Sequence, residues 1–311
     1  MGNRKRIILY SAFLILIIAG FFFYIRRNSD EFEKILSLRL IDFVVISFLV
    51  IVSQILNGLI IKVLVEFFDV RLKASEWFGL SVINRLGNYL PLQIGPVLRA
   101  AYLKKVHNFP YTAFISSTGV HYIIIILSSG LIGMLGMTAM YYMFNTFSLV
   151  LFIFCALIFL GALFLIIFSP TFKSSDSKFR RRISNVIEGW NSVKKNRKLL
   201  LKLFCIYILT IFVLALRIFY ASFALGYNFP FLYALLIAVP VLLSGFLIIV
   251  PAGLGVREAV MGISSKLLVG TGLSGVVIGS LDRLVTMAWV IVLGSVFGLM
   301  LSRRLAKERS Q

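Results

Sequence analysis

Acidic residues are scarce in this 311-residue chain: 12 Asp and Glu stand against 32 Lys and Arg, a formal net charge of +20. Charged residues of either sign make up only 14% of the sequence, while 60% is apolar and the mean hydropathy is +0.98. So little charge excludes a soluble globular domain and describes an integral membrane protein. No soluble basic domain is present to carry the positive excess, so nucleic acid is not an expected partner. The excess sits in short connecting stretches, where it orients the chain and attracts anionic lipid headgroups.

Histidine and cysteine are nearly absent. His107 and His121 are the only histidines and no H-E-x-x-H occurs, which excludes a zinc hydrolase. Cys155 and Cys205 fall inside apolar runs, which argues against a structural disulfide or a redox pair. There is no G-x-x-x-x-G-K-[ST] to drive an ATPase, and no D-x-D pair for a metal-bound sugar nucleotide. No catalytic residue, metal or cofactor is expected. Strict apolar/polar alternation is also missing, which excludes an outer-membrane barrel.

What is present is a series of long apolar runs. A spanning helix needs roughly 20 mostly apolar residues, and 7–25, 43–65, 112–136, 148–168, 201–224, 231–250 and 275–301 qualify. Two more stretches, 77–105 and 251–271, are apolar but interrupted by Pro and Gly, and read as broken or re-entrant segments. The expected fold is an all-α polytopic membrane protein of about seven to eight transmembrane helices plus the two breaks, with an internal repeat. Arg4, Lys5 and Arg6 begin like a signal peptide, but Arg26 and Arg27 stand where a cleavage site wants small residues, so the first helix is retained.

Orientation follows from the basic residues. Residues 137–147 and 225–230 are uncharged and read as outside, 26–42 is mixed and also read as outside, and 170–200 is crowded with Lys and Arg and read as cytoplasmic. Both termini are basic, the tail through Arg303, Arg304, Lys307 and Arg309. Seven crossings cannot put both inside, so 251–271 is expected to contribute an extra one. Within 170–200, Phe179, Ile183, Val186, Ile187, Trp190 and Val193 recur at helical spacing opposite Arg180, Arg181 and Arg182. That is a basic amphipathic helix lying on the membrane surface. It links the two halves, 1–168 and 201–311, of a single membrane domain.

Each half holds one break. Pro91 and Gly95 precede Arg99; Pro251, Gly253 and Gly255 precede Arg257 and Glu258. Matched interruptions in two halves point to a substrate site at the repeat interface. A helix that starts inside a membrane presents unpaired N–H groups to an anion. Arginine suits phosphate because its planar fork donates two parallel hydrogen bonds. Asn84 and Asn88 share a helix face, with Arg85 adjacent. Asp282 and Arg283 interrupt 275–301: Arg283 is expected to line the route, Asp282 to neutralise it or Arg257. Glu258 would carry the proton of a proton-coupled transport. The expected substrate-binding set is Arg85, Asn88, Arg99, Arg257, Glu258 and Arg283. Arg217 is expected to snorkel from the outer part of its helix, and His121 to be structural.

"GNYLPLQIGPVLRAAYLKK", then "VPAGLGVREAV" and "SLDRLV", resemble the lysylphosphatidylglycerol synthase transmembrane-region family, the flippase-like domain, across most of the chain. The resemblance implies a helical lipid-translocating domain. Its first motif falls on Pro91, Gly95 and Arg99, its second on Pro251, Gly253, Gly255, Arg257 and Glu258, and its late-helix arginine on Arg283. Two positions depart: Pro96 stands where an acidic residue often follows the glycine, and His121 where many members have arginine. The sequence ends at Gln311 soon after its last apolar run, so no attached aminoacyl-transferase domain is expected. The expectation is a multi-pass lipid transporter of the cytoplasmic (inner) cell membrane, moving an anionic phospholipid or a polyprenyl-phosphate-linked glycolipid. The alternative is a membrane subunit presenting a lipid-linked substrate to a separate glycosyltransferase or synthase.

Overall fold

In hydrocarbon every backbone N–H and C=O must be satisfied within its own segment, so long apolar runs become long helices. The computed structural model describes residues 26–90, 94–168, 190–246, 253 and 255–307, and all regular structure among them is helical. In chain order the helices are α1 (Ser29–Leu36), α2 (Leu40–Glu66), α3 (Ala74–Tyr89), α4 (Gly95–His107), α5 (Tyr111–Phe144), α6 (Leu149–Ile167), α7 (Arg197–Ala224), α8 (Phe231–Ser244), α9 (Val256–Val269) and α10 (Gly272–Lys307). The 7–25 run, Pro91, Pro251 and residues 169–189 lie outside the described residues.

Among the described residues, α2, α5, α6, α7 and α10 are long and apolar enough to cross a bilayer. Helix α5 runs further than expected. Residues 137–144 carry neither charge nor proline, so the helix continues to Phe144 and stops where Asn145 turns left-handed at φ 50°. The 231–250 stretch is corrected the other way: α8 has 14 residues with Pro240 inside it. At 1.5 Å per residue that is about 21 Å, short of a hydrocarbon core of about 30 Å.

The first break folds back on itself. Gly95 starts α4 against the Asn84 carbonyl and the Asn88 side chain of α3, and beside Gly87. A Cβ at position 95 would collide with that carbonyl, which is why glycine stands there. At the other end of the pair, the Tyr102 hydroxyl of α4 donates to Glu76 Oε1 of α3 at 2.8 Å, and His107 Nε2 lies 3.2 Å from the same oxygen. Helices α3 and α4 are therefore an antiparallel hairpin. Arg304 Nη1 of α10 reaches Glu76 Oε1 at 2.9 Å, and the Lys73 N–H donates to Oε2 at 2.8 Å. Burial pushes the Glu76 carboxyl up, but the hydrogen bonds from Lys73 and Tyr102, with His107 beside them, hold it below the usual carboxylate range.

The opposite face is closed differently. Asp42, at the start of α2, accepts from Arg39 Nε at 3.2 Å and from the Tyr220 hydroxyl of α7 at 2.9 Å. Glu31 of α1 accepts from the Tyr227 hydroxyl at 2.6 Å. Helix α8 leaves from this face after α7, packs against α9, and α10 then runs from here to Glu76. The hairpins α3–α4 and α8–α9 thus enter from opposite faces. Because α8–α9 returns to the face it left, 251–271 supplies no additional crossing, which corrects the expectation. Lys104, Lys105, Lys194, Lys195, Arg303 and Arg304 belong to the Glu76 face, the one the positive-inside rule assigns to the cytoplasm.

Packing repeats between the halves. Helix α2 packs on α3 as α7 does on α8; α3 packs on α10 as α8 does on α5; α2 meets α10 as α7 meets α5. Helices α2 and α7 pack on each other, and these contacts map onto one another when the halves are exchanged, as in an inverted repeat. Of the linker helix, residues 190–195 are described and helical. Val193 is fully buried among Ile60, Val120 and Leu203. At this end the apolar face packs on the bundle rather than on lipid.

Candidate functional site

Charges sunk in an apolar bundle must find each other, and five do. Asp282 of α10, with no exposed surface, takes Arg217 Nη2 of α7 and Arg257 Nη2 of α9, each at 2.5 Å. Next along α10, Arg283 Nε meets Glu258 Oε1 of α9 at 2.5 Å, and Arg283 Nη2 donates to the Gly253 carbonyl at 2.9 Å. Gly253 and Gly255 hold φ of 62° and 76°, a left-handed backbone that side chains resist. That turn starts α9 at the level of α10's charges. Helix α9 then lies tight on α10 because Gly262, Gly275 and Gly279 leave room for backbone contact.

The expectation that Arg217 snorkels is overturned. It is 2% exposed, and besides Asp282 it donates to Ser53 Oγ at 3.3 Å and to Thr286 Oγ1 at 2.5 Å. Counting from the nearer helix end places it close to water; the ion pair with Asp282 holds it inside. Asp282 accordingly neutralises Arg217 and Arg257 rather than Arg283.

One cavity opens onto this cluster and a second lies beside it. One, of about 200 Å³, is lined by Arg85, Asn88, Arg217, Arg257, Arg283 and Thr286, among others. The other, of about 180 Å³, lies among α2, α3, α4 and α5 and is lined by Gln54, Asn84, Arg85, Asn88, Arg99 and His121, among others. Asn57, Arg85 and Asn88 line both and form the wall between them. Arg99 and Arg257 therefore face different cavities. Arg99 lies over the Phe114 ring at 4.9 Å, a cation–π contact. His121 Nδ1 is hydrogen-bonded to the Tyr207 hydroxyl.

Arg85 makes none of the ion pairs among the described residues, and its Nη1 is buried without a hydrogen-bond partner. Around the larger cavity, Arg85, Arg217, Arg257 and Arg283 face only Asp282 and Glu258, which leaves two positive charges in excess. Cations in such excess inside an apolar bundle call for an anion. Neither helix that follows a break has a side-chain cap at its start.

Sequence reasoning missed Gln54, Ser53, Asn57 and Thr286, and misplaced Arg217. The signal was available in α2, where Ser53, Gln54 and Asn57 interrupt an otherwise apolar run. Polar atoms at that depth need partners.

These helices and their buried arginines define a multi-pass membrane protein. The chain matches the family described as lysylphosphatidylglycerol synthase TM region over residues 9–303, and it belongs to that family. Membership places its role with membrane lipids. No curated protein and no solved structure gives a significant match to the chain.

Proposed function

We propose that the protein is a flippase-like carrier that moves a phosphate-bearing lipid, an anionic phospholipid or a polyprenyl-phosphate-linked glycolipid, between leaflets. The excess of two positive charges around the larger cavity carries this reading. Arg85, Arg257 and Arg283 donate to the phosphate, and Arg99 offers the corresponding contact from the smaller cavity. Asn88 stands in the wall between them. The α3–α4 and α8–α9 hairpins act as re-entrant elements entering from opposite sides, and rocking of the two halves exposes the site to each leaflet in turn. Glu258, held by Arg283, is the group that would exchange a proton if the movement is proton-driven.

The test is reconstitution of the full chain in liposomes with fluorescently tagged phosphatidylglycerol in one leaflet. Wild type should move the lipid unaided. Arg257→Ala, which frees one Asp282 oxygen and deletes one cavity cation, should abolish movement while the protein remains folded. Unchanged movement in that variant removes the assignment of the site. Movement that appears only with a soluble glycosyltransferase and its sugar donor would support the presenting-subunit reading instead.

A further inference from the structure

The smaller cavity is chemically unlike the larger one. Four carboxamides face it, from Gln54, Asn57, Asn84 and Asn88. Gln54 is 1% exposed, yet both its Nε2 and its Oε1 have no hydrogen-bond partner. Asn84 Oδ1 and Asn88 Oδ1 are also buried and unpaired. An amide sunk in a protein without partners costs about 1–3 kcal/mol per group. Three amides left open toward one cavity are therefore a recognition surface rather than packing. At about 180 Å³ the cavity far exceeds the roughly 10–15 Å³ that one water needs.

The open atoms are three acceptors, Gln54 Oε1, Asn84 Oδ1 and Asn88 Oδ1, and one donor, Gln54 Nε2, and none carries charge. A group of hydroxyls, which give and accept, satisfies all four without a counter-charge; an ammonium could meet the acceptors but leaves the donor open and its own charge uncompensated. No Asp or Glu is among the described residues lining either cavity, and the nearby carboxylates Asp282 and Glu258 are already paired with arginine. Arg85 and Arg99 would repel an ammonium further.

From this we infer that the smaller cavity takes the hydroxyl-bearing part of the headgroup, a polyol or a sugar attached to the phosphate, and that aminoacylated lipids are rejected. The inference rests on the phosphate-lipid reading above and specifies its substrate class. Arg85, which lines both cavities, holds the phosphate while Gln54, Asn84 and Asn88 read the hydroxyls beyond it.

The experiment measures binding to the full-length protein in nanodiscs with four tailed probes: phosphatidylglycerol, a polyprenyl phosphoglucose, phosphatidic acid and lysyl-phosphatidylglycerol. Wild type should bind the two hydroxyl-rich probes at least about fivefold more tightly than phosphatidic acid, as one or two net hydrogen bonds predict. Comparing the first two separates a glycerol from a sugar headgroup. The lysyl lipid should bind weakest. Gln54→Met keeps the side-chain volume and should erase the preference while leaving phosphatidic acid affinity unchanged; Asn84→Ala should do the same from a separate helix. Equal affinity for phosphatidylglycerol and phosphatidic acid, insensitive to both variants, means the cavity holds water only and overturns the inference. Preference for the lysyl lipid overturns it as well. Loss of binding to every probe in wild type would instead defeat the phosphate-lipid reading.

Discussion

Replacing Asp282 by Asn keeps the side chain's shape and removes its charge, and the consequences for stability and for binding have opposite signs. Asp282 is fully buried and is the shared counter-ion of Arg217 and Arg257, each 2.5 Å away. Removing one partner of a buried pair typically costs about 3–5 kcal/mol, because the remaining charge stays sunk without compensation. Here two guanidiniums are stranded, so the loss should reach at least that range, a large share of the about 5–15 kcal/mol that separates a typical domain from its unfolded state. Yet the same change raises the excess of positive charge around the larger cavity from two to three. A unit charge acting over 4 Å at an effective dielectric of 20 is worth about 4 kcal/mol. Discounting for relaxation, an anionic headgroup should bind at least about tenfold more tightly. The assay is thermal unfolding in nanodiscs, with and without phosphatidic acid. Asp282→Asn should melt well below wild type in neutral lipid, and the anionic lipid should restore a larger part of the loss than it adds to wild type. If melting is unchanged, or if stability and lipid affinity fall together, the arginines do not depend on Asp282 in the way described.

The hairpin clasp makes a pH prediction. The Glu76 pKa is depressed on folding, so its contribution is present above the unfolded value of 4.5 and is lost as pH falls below it. Melting of wild type should drop from pH 6 toward pH 4, and Glu76→Gln, less stable at pH 6, should converge with it at the acid end; parallel curves would refute the clasp. At the break, Gly95→Ala places a methyl group against the Asn84 carbonyl. It should cost about 1–3 kcal/mol as overpacking does, read as a lower melting temperature together with proteolytic opening between α3 and α4. An unaffected variant would place Gly95 elsewhere.

Where the helices break was legible, because proline and glycine interrupt a bilayer-length run for stated steric reasons. Where the chain goes after a break was not. That Gly95 returns to Asn84, or that Tyr102 and Arg304 converge on Glu76, is a matter of contacts separated by tens to hundreds of residues, and periodicity carries no such information. Parity of basic loops counts an odd or even number of crossings but does not tell a crossing from a hairpin, and so it places 251–271 across the membrane. The candidate site was legible as a residue inventory: Arg85, Asn88, Arg99, Arg257, Glu258 and Arg283 all line or adjoin the two cavities. Its partnerships were not. The cost of a lone carboxylate at Asp282 demanded cations, and only the fold reveals that Arg217 and Arg257 answer it while Arg85 stays open.

The Arg217–Asp282 pair also sets an order of events during synthesis. Helix α7 leaves the ribosome long before α10, so its guanidinium enters the bilayer while its counter-ion has yet to be made. An arginine at mid-depth opposes insertion by about 2.5–3.5 kcal/mol, a debt that α7 settles only when the last helix arrives. Maturation therefore closes from the carboxyl end, and nascent chains halted before Asp282 are the ones that quality control should meet with a helix still at the translocon.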